Sequence, residues 1–171
     1  MKMLNEIKIS KCDLGCCIFK IKKYDTSIPE YYYGPKKKKA GVFVYDKINN
    51  KVLLVQSKGR LYGFPKGSLN IGENSKKGAI RELKEDTGVD IDIEKLGKMY
   101  LINNNAYYYL LDINLNKVYF NVQIKDIYND ANACIGIKIE CLKKLIKSKK
   151  IKLNNHCIKL LKIVLNINIF K

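Results

Sequence analysis

Apolar and polar positions change their period several times along this chain, and each change marks an element. Ala40-Gly-Val-Phe-Val-Tyr-Asp46 and Lys51-Val-Leu-Leu-Val-Gln-Ser57 are rich in β-branched and aromatic residues. Lys47-Ile-Asn-Asn50 between them has turn chemistry, which predicts a hairpin. Gly63-Phe-Pro-Lys-Gly67 then reads as a loop. Asn74 or Ser75 is suited to cap a helix that runs to about Thr87, with Ala79, Ile80 and Leu83 on its buried side and Gly88 as its stop. Lys98 to Ile102, Ala106 to Ile113, Val118 to Ile124 and Ile135 to Leu142 read as further strands between Asn and Asp clusters. From Asn154, Ile158, Leu161 and Leu165 recur at helical spacing with Lys159 and Lys162 off the stripe, which predicts a terminal amphipathic helix. Strands and helices are mixed throughout.

Residues 1–39 lack this regularity and end in Tyr31-Tyr-Tyr-Gly-Pro-Lys-Lys-Lys-Lys39, where Gly34 and Pro35 break any element. They are expected to form an N-terminal extension that packs on or precedes the core. Residues 40–171 are expected to form the main domain, closed by the basic helix. A length of 171 residues suits one such core. The N-terminus is interrupted by Lys2, Glu6, Lys8 and Lys11 and carries no secretory pattern. No run approaches the roughly 18 apolar residues that span a bilayer. A soluble, cytoplasmic protein is expected.

Charge adds a partner class. Thirty-three Lys and Arg against 16 Asp and Glu give a formal net charge of +17, a field that favours a polyanion such as nucleic acid or a phosphorylated small molecule. Only Arg60 and Arg81 are arginine, in a chain also heavy in Ile, Asn and Tyr, so AT-rich coding accounts for part of the lysine excess. The six cysteines include Cys12, Cys16 and Cys17 close together, with Cys134, Cys141 and Cys157 later. Zinc would want paired ligand sets, and the sole histidine, His156, stands beside Cys157 and supplies none. Reduced thiols are the expectation. The runs Tyr31 to Tyr33 and Tyr107 to Tyr109 are of a kind that stacks bases, but alternate residues of the second belong in a strand's packing.

Against the basic background, one helix gathers acid. Glu82, Glu85 and Asp86, at i, i+3 and i+4, share a face within one turn. They sit in the helix's C-terminal half, where the macrodipole disfavours each charge by a few tenths to about 1 kcal/mol. Helix stability does not account for them, whereas a hard divalent cation with oxygen ligands, Mg2+ or Mn2+, does. A solvated acidic face balanced by lysines such as Lys84 is the alternative.

The wider spacing separates the two. Gly67, five residues, Glu73, seven residues, then Arg81-Glu82-Leu83-Lys84-Glu85-Asp86-Thr87-Gly88-Val89 resembles the Nudix box, matching over 23 residues except at Asp86, where the family has Glu. The resemblance implies an α/β Nudix fold with a mixed β-sheet sandwiched between helices, and hydrolysis of a nucleoside diphosphate linked to another group. It implies metal held by Glu82, Glu85 and Asp86, with Glu73 and Arg81 positioning the loop and helix. Asp86 is one methylene shorter than the family's residue. No clear counterpart of the family's further glutamate follows the box: Glu140, Asp126 and Asp130 are candidates for the base, which stays unassigned.

Upstream, Tyr62-Gly63-Phe64-Pro65-Lys66-Gly67, with Asn70 and Glu73 after it, resembles the entrance of the mRNA-decapping branch, with Tyr62 where that branch has Trp. Ala40 to Gln56 also resembles the strand pair ahead of its box, so the likeness covers roughly residues 40–95. The resemblance implies that Lys66 and Gly67 line the phosphate site beside Tyr62 and Phe64. It implies cleavage of a capped RNA to 7-methyl-GDP and 5′-monophosphate RNA. Lys147, Lys149, Lys150, Lys152, Lys159 and Lys162 are then a candidate RNA track. The chain has no Trp to stack on a cap base, a task left to tyrosines. Dinucleoside polyphosphates and 5′-triphosphate RNA are the other substrates such a segment implies, and a noncatalytic Nudix RNA-binding module is the non-enzymatic alternative.

Overall fold

The computed structural model describes residues 7–22, 37–56, 61–117 and 133–169. In chain order these form β1 (Ile7–Lys11), β2 (Ile18–Lys22), β3 (Lys39–Asp46), β4 (Lys51–Gln56), β5 (Tyr62–Gly63), β6 (Lys66–Ser68) and helix α1 (Ser75–Thr87). A 3₁₀ turn at Ile93–Lys95 leads to β7 (Met99–Ile102), β8 (Ala106–Asp112), β9 (Ala133–Lys138), α2 (Ile139–Lys147) and α3 (Asn155–Leu165).

Period-two alternation in β3 builds two cores at once. Ala40, Val42 and Val44 face Ala79 and Leu83 of α1, with Leu53 and Leu111. Phe43 points the other way, to Val52, Leu54 and Tyr108 and to Leu142, Leu145, Leu160 and Leu161 of α2 and α3. The sheet is thus sandwiched between α1 on one face and α2 with α3 on the other. It is mixed: β8 runs parallel to β3 from Lys39 opposite Ala106 to Tyr45 opposite Asp112. The pairings of β7 with β8 and β9 with β4 are antiparallel.

One irregularity makes room for a site. β3 and β4 share only the rungs beside their turn, Tyr45 opposite Val52 and Asp46 opposite Lys51. Beyond these the strands diverge, β6 pairing with the start of β3 and β5 with the end of β4. The turn itself is fastened by Asp46, 1% exposed. Its carboxylate accepts from the Asn49 amide at 2.9 Å, the Asn49 side chain at 2.8 Å and the Leu115 amide at 2.8 Å. Burial raises its pKa and these bonds outweigh that, leaving it below the ordinary value.

The expected hairpin and α1 are present. Asn74 accepts from the Lys76 amide as N-cap, and Gly88 at φ 73° closes the helix in the left-handed region that glycine tolerates. Of the expected buried side, Ile80 is only half-buried, and Gly78 and Thr87 complete it. The run Ile135 to Leu142, read as one strand, divides: β9 ends at Lys138 and α2 begins at Ile139. Ile139, Cys141, Leu142 and Leu145 are all buried at helical spacing, and a short apolar run does not reveal where a period of two becomes 3.6. Tyr108 is 1% exposed in β8, in keeping with packing. Val118 to Ile124, Tyr31 to Tyr33, Arg60, Asp126 and Asp130 lie outside the described residues. Among the described residues no helix is long and apolar enough to cross a membrane.

Candidate active site

The segment 61–68 enters the gap between the diverging strands and is held from both sides. The Tyr62 amide donates to the Lys152 carbonyl and the Asn154 amide donates to the Tyr62 carbonyl, each at 2.8 Å, which clamps β5 to the start of α3. The Pro65 carbonyl accepts from the Val42 amide at 3.0 Å. A Cβ on Gly41 would run into that same carbonyl, so the close approach needs glycine. Tyr62 and Phe64, expected beside the substrate, are each only 2% exposed. The Phe64 ring packs on Phe43 at 4.3 Å between centroids. They hold the turn from beneath and leave Lys66, half-buried, at its surface.

Helix α1 brings the acidic residues to the same place. Arg81 is the organiser. Its Nε and Nη2 donate to the two oxygens of Glu73 at 2.9 and 2.8 Å, the side-by-side pairing only a guanidinium makes. Nη2 also donates to the Ser68 carbonyl at 3.0 Å, while Nη1 donates to Glu82 at 2.7 Å and to Glu85 at 3.3 Å. Glu73 accepts as well from the Asn70 amide at 2.9 Å, closing the loop ahead of α1. Asp86 turns toward the Pro-Lys-Gly turn, one oxygen accepting the Lys66 amide at 3.0 Å. Glu73, Arg81 and Glu82 thus form one network with Glu85 at its exposed rim, and the Lys66–Asp86 bond lies beside it, with Gly67 against the Glu82 carboxylate.

Electrostatics differ across this network. Hydrogen bonds from Arg81, then from the Asn70 amide, hold the Glu73 carboxyl down to about 2, and the same bonds raise the Arg81 guanidinium. Burial pushes the Glu82 carboxyl up despite Arg81, with Glu85 and Glu73 adding to the shift. Burial, then Lys39, pushes the Lys66 ammonium down against the pull of Asp86 and Glu82.

The donor set fits a hard divalent cation. Glu82, Glu85 and Asp86 offer only oxygen, and a nearby cation would favour the ionised Glu82 that burial disfavours. Gly67 leaves the space: any Cβ there would collide with the Glu82 carboxylate.

His156, which the sequence marks only as the neighbour of Cys157, packs against β8. Docking of α3 sets its Nδ1 3.1 Å from the Tyr108 hydroxyl. Burial, then Lys66, Lys39 and Lys159, lowers it to about 4, so the imidazole is neutral near pH 7. Only the cap at Asn154 hints at its placement in sequence. The six lysines of the expected basic helix do not lie on one helix. Lys147 ends α2, Lys149, Lys150 and Lys152 lie in the connection, and Lys159 and Lys162 ride on α3. All are exposed, and Lys150 pairs with Asp13 at 2.6 Å. Glu140 is exposed in the first turn of α2.

The NUDIX domain family model matches residues 35–122, a little over half of the chain, and takes in the whole network. The chain belongs to the Nudix hydrolases. This Nudix chain is 38% identical over 106 residues to the 111R protein of Invertebrate iridescent virus 3, named as a hydrolase, covering 60% of this chain and 62% of that one. It is 38% identical over 77 residues to the m7GpppN-mRNA hydrolase dcap-2 of Caenorhabditis elegans, covering 43% of this chain and 9% of that one. The chain therefore spans less than two thirds of the length of either relative. In fold it is similar to a bifunctional NMN adenylyltransferase/ADP ribose pyrophosphatase of Francisella tularensis, solved with AMP and a manganese ion. The TM-score is 0.52 at 19% identity, over 80% of this chain and 43% of that one.

Proposed function

We propose that this Nudix chain is a metal-dependent pyrophosphohydrolase acting on capped RNA. The observation that carries the reading is the join between Lys66 and the acidic helix. The Tyr62 to Gly67 segment, which resembles the decapping branch, is tied through its Lys66 amide to Asp86, one residue from Glu85 and four from Glu82. A cation suited to a polyphosphate bridge therefore stands against carboxylates suited to a divalent metal. The likeness to a relative named m7GpppN-mRNA hydrolase adds support.

On this reading Glu82, Glu85 and Asp86 hold Mg2+ or Mn2+, which when bound neutralises phosphate charge and acidifies water. Lys66 grips the bridge as a point charge, and burial weakens its own hydration, leaving it available to phosphate oxygens. Arg81 keeps three carboxylates in register, and Gly67 keeps the approach to Glu82 open. Water adds to phosphorus, the anhydride P–O bond breaks, and the bridging oxygen leaves with one phosphate. The products are 7-methyl-GDP and 5′-monophosphate RNA. Around the site Lys37 and Lys38 border an open cleft of about 690 Å³ with Leu69 to Glu73, a place for the RNA backbone to enter.

The test is product analysis on cap-labelled RNA, 5′-triphosphate RNA and diadenosine tetraphosphate with Mg2+ or Mn2+. Release of 7-methyl-GDP from capped RNA alone is the expected result. Turnover confined to either other substrate would assign the chain to those, and binding of RNA without turnover of any would make it a noncatalytic module.

A further inference from the structure

Four thiols that the candidate active site does not use converge elsewhere in the fold. Cys12, Cys16 and Cys17 come from the loop between β1 and β2, and Cys141 from the first turn of α2. All four sulfurs lie within 4.8 Å of one another. Cys16 Sγ is 3.6 Å from that of Cys12, 3.7 Å from that of Cys17 and 3.4 Å from that of Cys141. Around a tetrahedral zinc with Zn–S of about 2.3 Å, sulfurs stand about 3.8 Å apart.

The loop is shaped to gather them. The Cys12 amide donates to the Cys17 carbonyl at 2.9 Å and the Gly15 amide donates to the Cys12 carbonyl at 2.8 Å. Gly15, at φ +68°, occupies the left-handed region such a reversal needs. Cys-Asp-Leu-Gly-Cys-Cys thereby turns back on itself and sets three thiols against the helix that carries the fourth. Buried cysteine alone is ordinary packing, as Cys157 shows: it is fully buried in α3 and outside this group. Packing does not explain why an exposed thiol, Cys16, shares a centre with three buried ones.

We propose that Cys12, Cys16, Cys17 and Cys141 form a structural zinc site that fastens the β1–β2 hairpin to α2. Four thiolates with no carboxylate or imidazole among them select a soft or borderline ion over the Mg2+ or Mn2+ suited to α1. Four protein ligands fill the tetrahedron, which leaves no open position for catalysis. Each thiol releases its proton to solvent as its sulfur takes up the ion. The gain is structural, because a two-stranded hairpin is marginal by itself in water. Three donors from one tight loop and a fourth from a distant helix is an arrangement that pairwise spacing in the sequence does not display.

The experiment is metal analysis of the full chain purified without chelator, together with visible spectra after replacement by Co2+. About one zinc per chain is expected, with the intense visible bands of tetrahedral thiolate cobalt on replacement. Cys16→Ser, at an exposed position, should lose the zinc. Cys157→Ser and Glu85→Gln should keep it, the latter separating this site from the hydrolytic one. Chelation should lower the Tm of the native chain. A chain that holds no zinc and gives no thiolate–cobalt bands would overturn the proposal, as would a disulfide between two of the four or full retention by Cys16→Ser. Should Cys16→Ser not fold, the cobalt spectrum of the native chain decides.

Discussion

At the scale of single residues, the choice of arginine at 81 decides the site's shape. In a chain whose cations are otherwise lysine save Arg60, its fork reaches two oxygens of Glu73, the Ser68 carbonyl, Glu82 and Glu85 together. An ammonium is a point charge and reaches only part of that set. Arg81→Lys is expected to cost about 2 kcal/mol, as charge-assisted hydrogen bonds are lost in a half-buried setting, and to lower turnover. Denaturant midpoints and initial rates check both. Glu73 carries the complementary pH effect. Its folded value of about 2 lies below the ordinary 4.5, so the folded state binds the proton more weakly than the unfolded one. Its contribution is therefore complete above about pH 4.5 and lost as pH falls from there toward about 2. Melting curves of native chain and Glu73→Gln across that window should converge at the acid end. Equal separation at every pH would remove Glu73 as the source.

At the scale of elements, legibility followed how local the physics was. Helix α1 was readable because its cap, its apolar face and its glycine stop lie within the same 15 residues, Asn74 to Gly88. The cap gives a direct test: Asn74→Ala should cost about 1 kcal/mol in thermal unfolding, and no loss would make the cap dispensable. The acidic face and its match to the Nudix box were readable for the same reason. The start of α2 was not, because Cys134 to Leu142 is largely apolar and the turn from strand to helix is decided by what each side packs against. Tyr62 and Phe64 were legible as part of the loop, but their direction was not. A two-residue strand pinned to β4 and to the Lys152–Asn154 backbone turns both rings inward. His156 and the thiol group came from long-range docking, α3 on β8 and the hairpin on α2, which spacing along the chain does not encode.

At the scale of the whole molecule, two demands meet on one small fold. A field of +17 favours a polyanion, and against it α1 gathers Glu82, Glu85 and Asp86 within one turn. The lysines of residues 147–162 line two helices and their connection, so they form a patch rather than a stripe. If RNA follows that patch, replacing Lys147, Lys149 and Lys152 should lower the slope of log affinity against log salt by roughly one unit for each phosphate left without its lysine. An unaltered slope would direct the RNA past Lys37 and Lys38 instead. On the reading proposed above, the α1 carboxylates, set by Arg81 beside Lys66, serve hydrolysis of a pyrophosphate bridge. The most direct measurement is release of 7-methyl-GDP from cap-labelled RNA by the native chain and by Glu85→Gln, in Mg2+ or Mn2+, with folding matched by thermal unfolding. Glu85 is exposed, so the variant should fold as the native chain does while losing at least about a hundredfold in turnover. Turnover undiminished in the folded variant would contradict the account.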